Sequence, residues 1–279
     1  MKMNFRKMHG LGNDFVIIDT RDQTVGNMED VSKKVACRRF GIGCDQVIFL
    51  QNSDTADIYM KIYNPDGSEA GICGNAARCV ADIVLKENKS GKVTIETVSG
   101  TLSCDRANDN LVTVDMGKPR LDWDKIPLAQ ECDTKFVPIR LPISSESDDA
   151  ENLPVCVSVG NPHTVFFVGG GIEEFKVAEL GPQIEKNPMF PQKTNVEFVH
   201  VIDRQTLRMR VWERGTGVTL ACGSGACASA VAAMRRGYTD RKVTVQMDGG
   251  DLQIEWREED DHVYMTGPVA YSFEGTIPA

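Results

Sequence analysis

Three things are scarce in this 279-residue sequence. No apolar run approaches the roughly 20 residues that cross a bilayer as a helix. No basic cluster offsets the net charge of −9, and glycine and proline are nowhere pooled into one tract. The first absence excludes a helical membrane span, and the second a phosphate-tracking surface as the main function. The third, with 41% hydrophobic and 25% charged residues, excludes a disordered chain. The opening MKMNFRKMHG is basic, but no apolar stretch of signal-peptide length follows it. A cytoplasmic protein is expected, with neither nucleic acid nor membrane as partner. A small zwitterionic or cationic ligand remains open.

What is present begins with nine cysteines. An odd number cannot all pair, and the cytosol keeps thiols reduced, so their roles are packing, metal binding or catalysis. The length suits one large domain or two of about 140 residues.

The chain repeats itself. A shift of 149 positions lays Asp14-Phe-Val-Ile-Ile-Asp over His163-Thr-Val-Phe-Phe-Val and Gln46-Val-Ile-Phe-Leu over Asn195-Val-Glu-Phe-Val. The same shift superposes Ile62-Tyr-Asn64 on Val211-Trp-Glu213 and Cys73-Gly-Asn75 on Cys222-Gly-Ser224. With a one-residue slip, Val93-Thr-Ile-Glu meets Val243-Thr-Val-Gln and Gly100 meets Gly250. Alternating apolar runs bounded by Gly, Asn, Asp and Pro predict strands over 57–63, 92–98, 110–116, 195–201, 206–212, 242–247 and 251–256. Each copy then carries one strong helix signal. In the first, Ala77, Val80, Ile83 and Val84 recur at helical spacing; in the second, small residues run from Ser224 to a stop at Gly237. Both helices are apolar enough to be buried within their own sheets. The segment 118–153 matches nothing in the other half, and its polar run from Ser144 reads as a solvated loop.

Cys73 and Cys222 stand just before these helices. Unsatisfied N–H groups and the positive helix end favour a thiolate there, by at most about 2 kcal/mol or roughly one and a half pKa units. That is expected to bring an ordinary thiol near working pH. The same amides can hold a substrate carboxylate. In halves related by an approximate two-fold axis the two thiols would approach one carbon from opposite faces, which is what inversion of a stereocentre needs. One group removes a proton and the other delivers one. Cys79 and Cys227, further into the helices, read as packing residues, and so do Cys37, Cys44, Cys104, Cys132 and Cys156. Zinc fits poorly: five residues separate Cys73 from Cys79, against the usual two to four, and both cysteine pairs lie on continuous helices. No metal is expected.

Asn64-Pro-Asp-Gly-Ser-Glu-Ala-Gly-Ile-Cys-Gly-Asn-Ala-Ala-Arg-Cys79 and Glu213-Arg-Gly-Thr-Gly-Val-Thr-Leu-Ala-Cys-Gly-Ser-Gly-Ala-Cys227 resemble the double-cysteine motifs of diaminopimelate epimerases. Met8-His-Gly-Leu-Gly-Asn-Asp-Phe15 and Gly160-Asn-Pro-His163 add to the match, which covers essentially the whole chain. The resemblance implies an α/β (α+β) fold of two pseudo-symmetric domains, each a mixed, barrel-like strand wrap around a central helix. The first would span 1–120, with 267–279 returning to it, and the second 121–266.

It further implies a cofactor-independent isomerase that interconverts LL- and meso-2,6-diaminopimelate in lysine biosynthesis. Cys73 would take the proton from the LL form and Cys222 from the meso form, with His163 and Glu213 supporting the thiols. Gly74, Asn75, Gly223 and Ser224 would meet the reacting carboxylate. Asn13, Gln46, Asn64, Asn161, Asn195, Glu213 and Arg214 would line the rest of the site. A carboxylate wants an arginine fork and amide donors, and an ammonium wants Glu213 and carbonyl oxygens. The family suggests a homodimer. His9 reads as a packing residue or a local hydrogen bond. A proline-type racemase, an isomerase working with carboxylates, and a binding protein that lost turnover are the rivals; the polar distal set and the two cysteines argue against the first two.

Overall fold

The computed structural model describes residues 2–141 and 150–278. Residues 144–149 of the polar run expected as a loop lie outside the described residues. Two compact units divide the chain, Met1–Asp115 with Thr266–Ala279, and Met116–Met265.

The first unit runs β1 (Lys2–Gly10), β2 (Asn13–Asp19), α1 (Met28–Ala36), β3 (Gln46–Gln51), β4 (Ile58–Tyr63), β5 (Glu69–Ala70), α2 (Gly74–Asn88), β6 (Lys92–Thr97), β7 (Gly100–Asn108) and β8 (Leu111–Asp115). The second runs β9 (Val155–Ser158), β10 (Pro162–Phe167), α3 (Val177–Glu185), β11 (Asn195–Asp203), β12 (Thr206–Glu213), β13 (Gly217–Val218), α4 (Gly223–Arg235), β14 (Lys242–Met247) and β15 (Gly250–Trp256). Then β16 (Val263–Pro268) leads back to the first unit, where β17 (Ala270–Pro278) pairs antiparallel along β1.

The mixed α/β fold and its internal repeat are those expected, and the expected strands form to within two residues. Pairing repeats as well. β2 lies parallel to β3 and β3 antiparallel to β4, as β10 lies parallel to β11 and β11 antiparallel to β12. Val47 faces Tyr63 and Val196 faces Trp212, each pair 149 residues from its counterpart. One alignment needs correcting. Phe15 sits beside Gln46 and His163 beside Asn195, so His163 takes the place of Phe15 rather than of Asp14. A pleated strand allows no such slip without turning every side chain to the other face.

Within the first unit α2 packs against β1, β4, β6, β7 and β8, and every residue from Gly74 to Leu85 is buried. Within the second, α4 packs against β9 to β12, β14 and β15, with Ala226 to Ala233 buried. Strands that wrap a helix on several sides require one apolar or small nearly all round, which is how both sequences read.

The smaller helices were not expected. Asn27 caps α1 by accepting from the N–H groups of Glu29 and Asp30, and α1 packs on β3 with Val35 and Ala36 buried. α3 holds Gly181 and Pro182, which read as breakers. Gly181 is required by contact, since a methyl group there would lie 2.4 Å from the Trp212 ring.

Candidate functional site

Each of the two long helices begins at a cysteine. Cys73 is the residue before α2, extended at φ −145° and ψ 108°, and half-buried. Cys222 holds the matching place before α4, at φ −122° and ψ 109°, and is buried. The first-turn N–H groups behind each have no carbonyl in their own helix to bond, so both starts suit an anion.

In the first unit Asn13 Oδ1 accepts from Asn75 Nδ2 at 3.1 Å and faces Cys73 Sγ at 3.8 Å. Asn13 Nδ2 donates to Asp45 Oδ2 at 2.9 Å, and Asp45 in turn accepts from Arg38 at 2.8 Å. Arg38 also grips both oxygens of Asp14, at 2.7 and 3.0 Å, and Lys7 donates to Asp14 at 2.6 Å and to the Gly43 carbonyl. Burial alone would raise the Asp14 carboxyl, but Arg38 and Lys7 hold it well below the usual carboxylate range. Gln46 Nε2 donates to Asn64 Oδ1 at 3.0 Å, and Asn64 Nδ2 donates to Ser68. The His9 ring accepts from the Gly12 N–H at 3.4 Å, a local bond.

In the second unit the Gly225 N–H donates to Cys222 Sγ at 3.4 Å, and Ser224 Oγ lies 3.6 Å from that sulfur. Asn161 Nδ2 donates to Ser224 Oγ at 3.4 Å, while its Oδ1 meets His163 Nε2 at 2.9 Å. Thr219 donates its hydroxyl to Glu213. Asn195 works on the backbone, donating to the Pro162 carbonyl and accepting from the Arg214 N–H, both at 2.9 Å. Arg214 itself is exposed and donates to the Gln192 carbonyl at 3.0 Å.

The expected acidification fails at Cys222. Burial first, then the charges of Glu213 and Glu197, push its thiol well above the ordinary value, against the lowering pull of Ser224 and the Gly225 N–H. Desolvation outweighs the helix end because the sulfur is removed from water while the helix contribution stays near 2 kcal/mol. These surroundings favour the thiol of Cys222 over its thiolate. Burial also raises Cys79, Cys104 and Cys156, each to about 12, and Cys44 to about 11, as suits packing residues. Cys37 moves the other way, lowered by the backbone N–H groups of Arg39 and Phe40.

Sequence reasoning missed two residues. Arg78 is fully buried in α2 and donates to Asn75 Oδ1 at 2.9 Å and to the Pro268 carbonyl at 3.4 Å. A methyl on Gly10 would lie 2.9 Å from its Nη2. Glu197, wholly buried on β11, meets His163 Nδ1 at 2.7 Å. A charged residue within an apolar run was the available signal for both. Among the described residues no group of three or more His, Cys, Asp or Glu is placed to hold a metal, and no helix is long and apolar enough to cross a membrane.

A family model described as "Diaminopimelate epimerase" matches residues 5–121 and 155–272. A diaminopimelate epimerase of Rhodospirillum centenum is 48% identical over 99% of this chain and 93% of its own length. One of Gluconobacter oxydans is 48% identical over 99% of both chains. In three dimensions a PhzF-family phenazine biosynthesis protein of Bacillus anthracis superposes at a TM-score of 0.73, with 17% identity over the whole of both chains. A hydroxyproline epimerase of Agrobacterium vitis does so at 0.64, with 13% identity over 99% of this chain and 91% of that one. At such identities these two show a shared fold.

Proposed function

We propose, from the premise that this chain belongs to the diaminopimelate epimerase family, that Cys73 and Cys222 are the acid/base pair of its reaction. The chain is an isomerase of a small molecule, interconverting LL- and meso-2,6-diaminopimelate. Inversion at an α-carbon needs a base on one face and an acid on the other. One sulfur, as thiolate, takes the α-proton; the second, as thiol, returns a proton from the opposite side. Cys73 serves the LL form and Cys222 the meso form.

The observation that carries this reading is positional: both thiols precede the wrapped helix of their own unit, at equivalent places in the repeat. First-turn amides at Gly74, Asn75, Gly223 and Ser224 hold the reacting carboxylate and stabilise the charge that develops as the proton leaves. His163 and Glu213 support the thiols. Asn13, Gln46, Asn64, Asn161, Asn195 and Arg214 line the remainder, with Arg214 and the amides matching a distal carboxylate.

The two domains are 1–120 with 267–279, and 121–266. The working form is a homodimer, a reading supported by the family resemblance, in the cytoplasm, which suits nine cysteines none of which is joined in a disulfide.

Two-base chemistry exchanges the substrate α-proton with solvent. In deuterated water the α-proton signal of LL-diaminopimelate is expected to disappear as the meso isomer forms. Diaminopimelate left unchanged, with proline turned over instead, overturns the assignment.

A further inference from the structure

We propose that Glu197 is a positioning residue: it anchors a chain of hydrogen bonds that turns the Ser224 hydroxyl toward Cys222. The links are Glu197 Oε1 to His163 Nδ1 at 2.7 Å, His163 Nε2 to Asn161 Oδ1 at 2.9 Å, Asn161 Nδ2 to Ser224 Oγ at 3.4 Å, and Ser224 Oγ to Cys222 Sγ at 3.6 Å. All five residues lie in the second unit. The proposal rests on the reading of Cys222 as an acid/base group.

The donor and acceptor roles follow link by link. Asn161 Oδ1 only accepts, so His163 Nε2 carries a proton. One further proton then lies between Nδ1 and Glu197, on whichever atom it rests, and in both placements Nε2 keeps its own. Ser224 Oγ accepts from the Asn161 amide, which leaves the hydroxyl proton for the sulfur. A thiolate forming at Cys222 thus meets two donors, Ser224 and the Gly225 N–H.

Packing does not require a carboxylate at this place. Glu197 and His163 are both fully buried, and the equivalent positions in the first unit are Ile48 and Phe15, also fully buried. Burying an ionisable pair costs more than burying those hydrocarbons, so the polar pair answers another need. Glu197 lies directly beneath the start of α4: a methyl group on Gly225 would be 2.9 Å from Glu197 Oε1 and 3.2 Å from Cys222 Sγ. Burial raises the Glu197 carboxyl and His163 lowers it.

Around Cys222 the strands packed against α4 present few other ionisable groups. β9 gives Cys156, β10 His163, β11 Glu197 and β12 Glu213, while His200 of β11 meets the Val168 carbonyl, Asp203 of β11 is exposed, and Arg208 and Arg210 of β12 are engaged with Glu173 and Asp248. Lys242 of β14 and Asp251 of β15 are exposed, and Glu255 of β15 is half-buried.

The test reads the thiol rather than turnover. Iodoacetamide labelling of Cys222, followed by peptide mass spectrometry across pH, is expected to slow about tenfold in Glu197→Ile, the residue type of the other repeat, through loss of one donor to a charged sulfur. Glu197→Gln, whose amide N–H can donate to Nδ1, should label within about twofold of wild type. Ser224→Ala should match the tenfold loss, and the double variant S224A/E197I should lose no more. Long-range proton–nitrogen spectra, tractable with four histidines, should show His163 protonated at Nε2 in wild type and in E197Q. A folded E197I that labels like wild type, an unaffected S224A, or a wild-type His163 bare at Nε2 overturns the proposal. If C222A still epimerises, the acid/base assignment falls instead, and the labelling of wild type against E197I and S224A still decides the hydrogen-bond chain.

Discussion

The starts of α2 and α4 match in backbone and differ in the side chains that meet the sulfur. At Cys73 the sulfur faces a carbonyl oxygen, Asn13 Oδ1, which can only accept. At Cys222 the sulfur meets the Gly225 N–H and the Ser224 hydroxyl, beside the carboxyl groups of Glu213 and Glu197. Duplication preserved the place where a thiol meets a helix end and let the surroundings diverge. That difference shows that the helix start alone does not set a thiol's protonation: what lies beneath the first turn decides it.

The supports beneath the two starts differ in the same way. Asn13 is held from an ionic network of Lys7, Asp14, Arg38 and Asp45, whereas Asn161 is held from the buried His163–Glu197 pair.

The sharpest way to break the comparison is to delete either sulfur. Cys73→Ala and Cys222→Ala should each lower epimerisation by at least about a thousandfold, within the range for a general acid or base, with circular dichroism unchanged. Near-normal turnover in one variant would remove that cysteine from the pair and make the two starts unequal in function as well as in surroundings.

A smaller effect is expected at the ionic support. Asp14→Asn leaves Lys7, 10% exposed, without its carboxylate and should destabilise the protein by about 3 kcal/mol at neutral pH. The folded-state pKa of Asp14 lies below its unfolded value near 3.9, so this stability is present above that pH and is lost as pH falls through the folded value. Urea denaturation of wild type and variant should differ at pH 7 and converge progressively below about pH 4. Equal stability at pH 7 would show that Arg38 and Lys7 do not need the carboxylate.

The mildest test makes one start resemble the other. Gly225 of α4 corresponds to the buried Ala76 of α2, and Gly225→Ala sets a methyl group against Glu197 and Cys222. A loss of about 1–3 kcal/mol is expected from overpacking, read as a lower melting temperature, with slower turnover of the meso form than of the LL form. No change in either would mean the first turn of α4 tolerates the side chain that α2 carries.

Much of the fold was legible because the repeat supplies two readings of each element. Strands such as β6 and β14 alternate cleanly, and α2 and α4 are apolar runs behind glycine turns. α1 was missed because nine residues give little periodicity, and α3 because Gly181 and Pro182 read as breakers; Trp212 packed on Gly181 is the reason glycine is there. β1 hides its alternation behind Lys7, whose charge is answered by Asp14 and the Gly43 carbonyl.

Of the site, the sequence carried the two cysteines, the helices that present them and the asparagines around them. The cysteines and helices follow from local chemistry repeated at a fixed interval, the asparagines from the family resemblance. Three matters belonged to the tertiary structure alone: that Glu197 lies under Cys222, that Arg78 orients Asn75, and that the Cys222 thiol is raised rather than lowered. Each depends on side chains from different strands or turns meeting where water is excluded. A linear pattern encodes the partners one at a time, and only folding sets their distance and their dielectric surroundings.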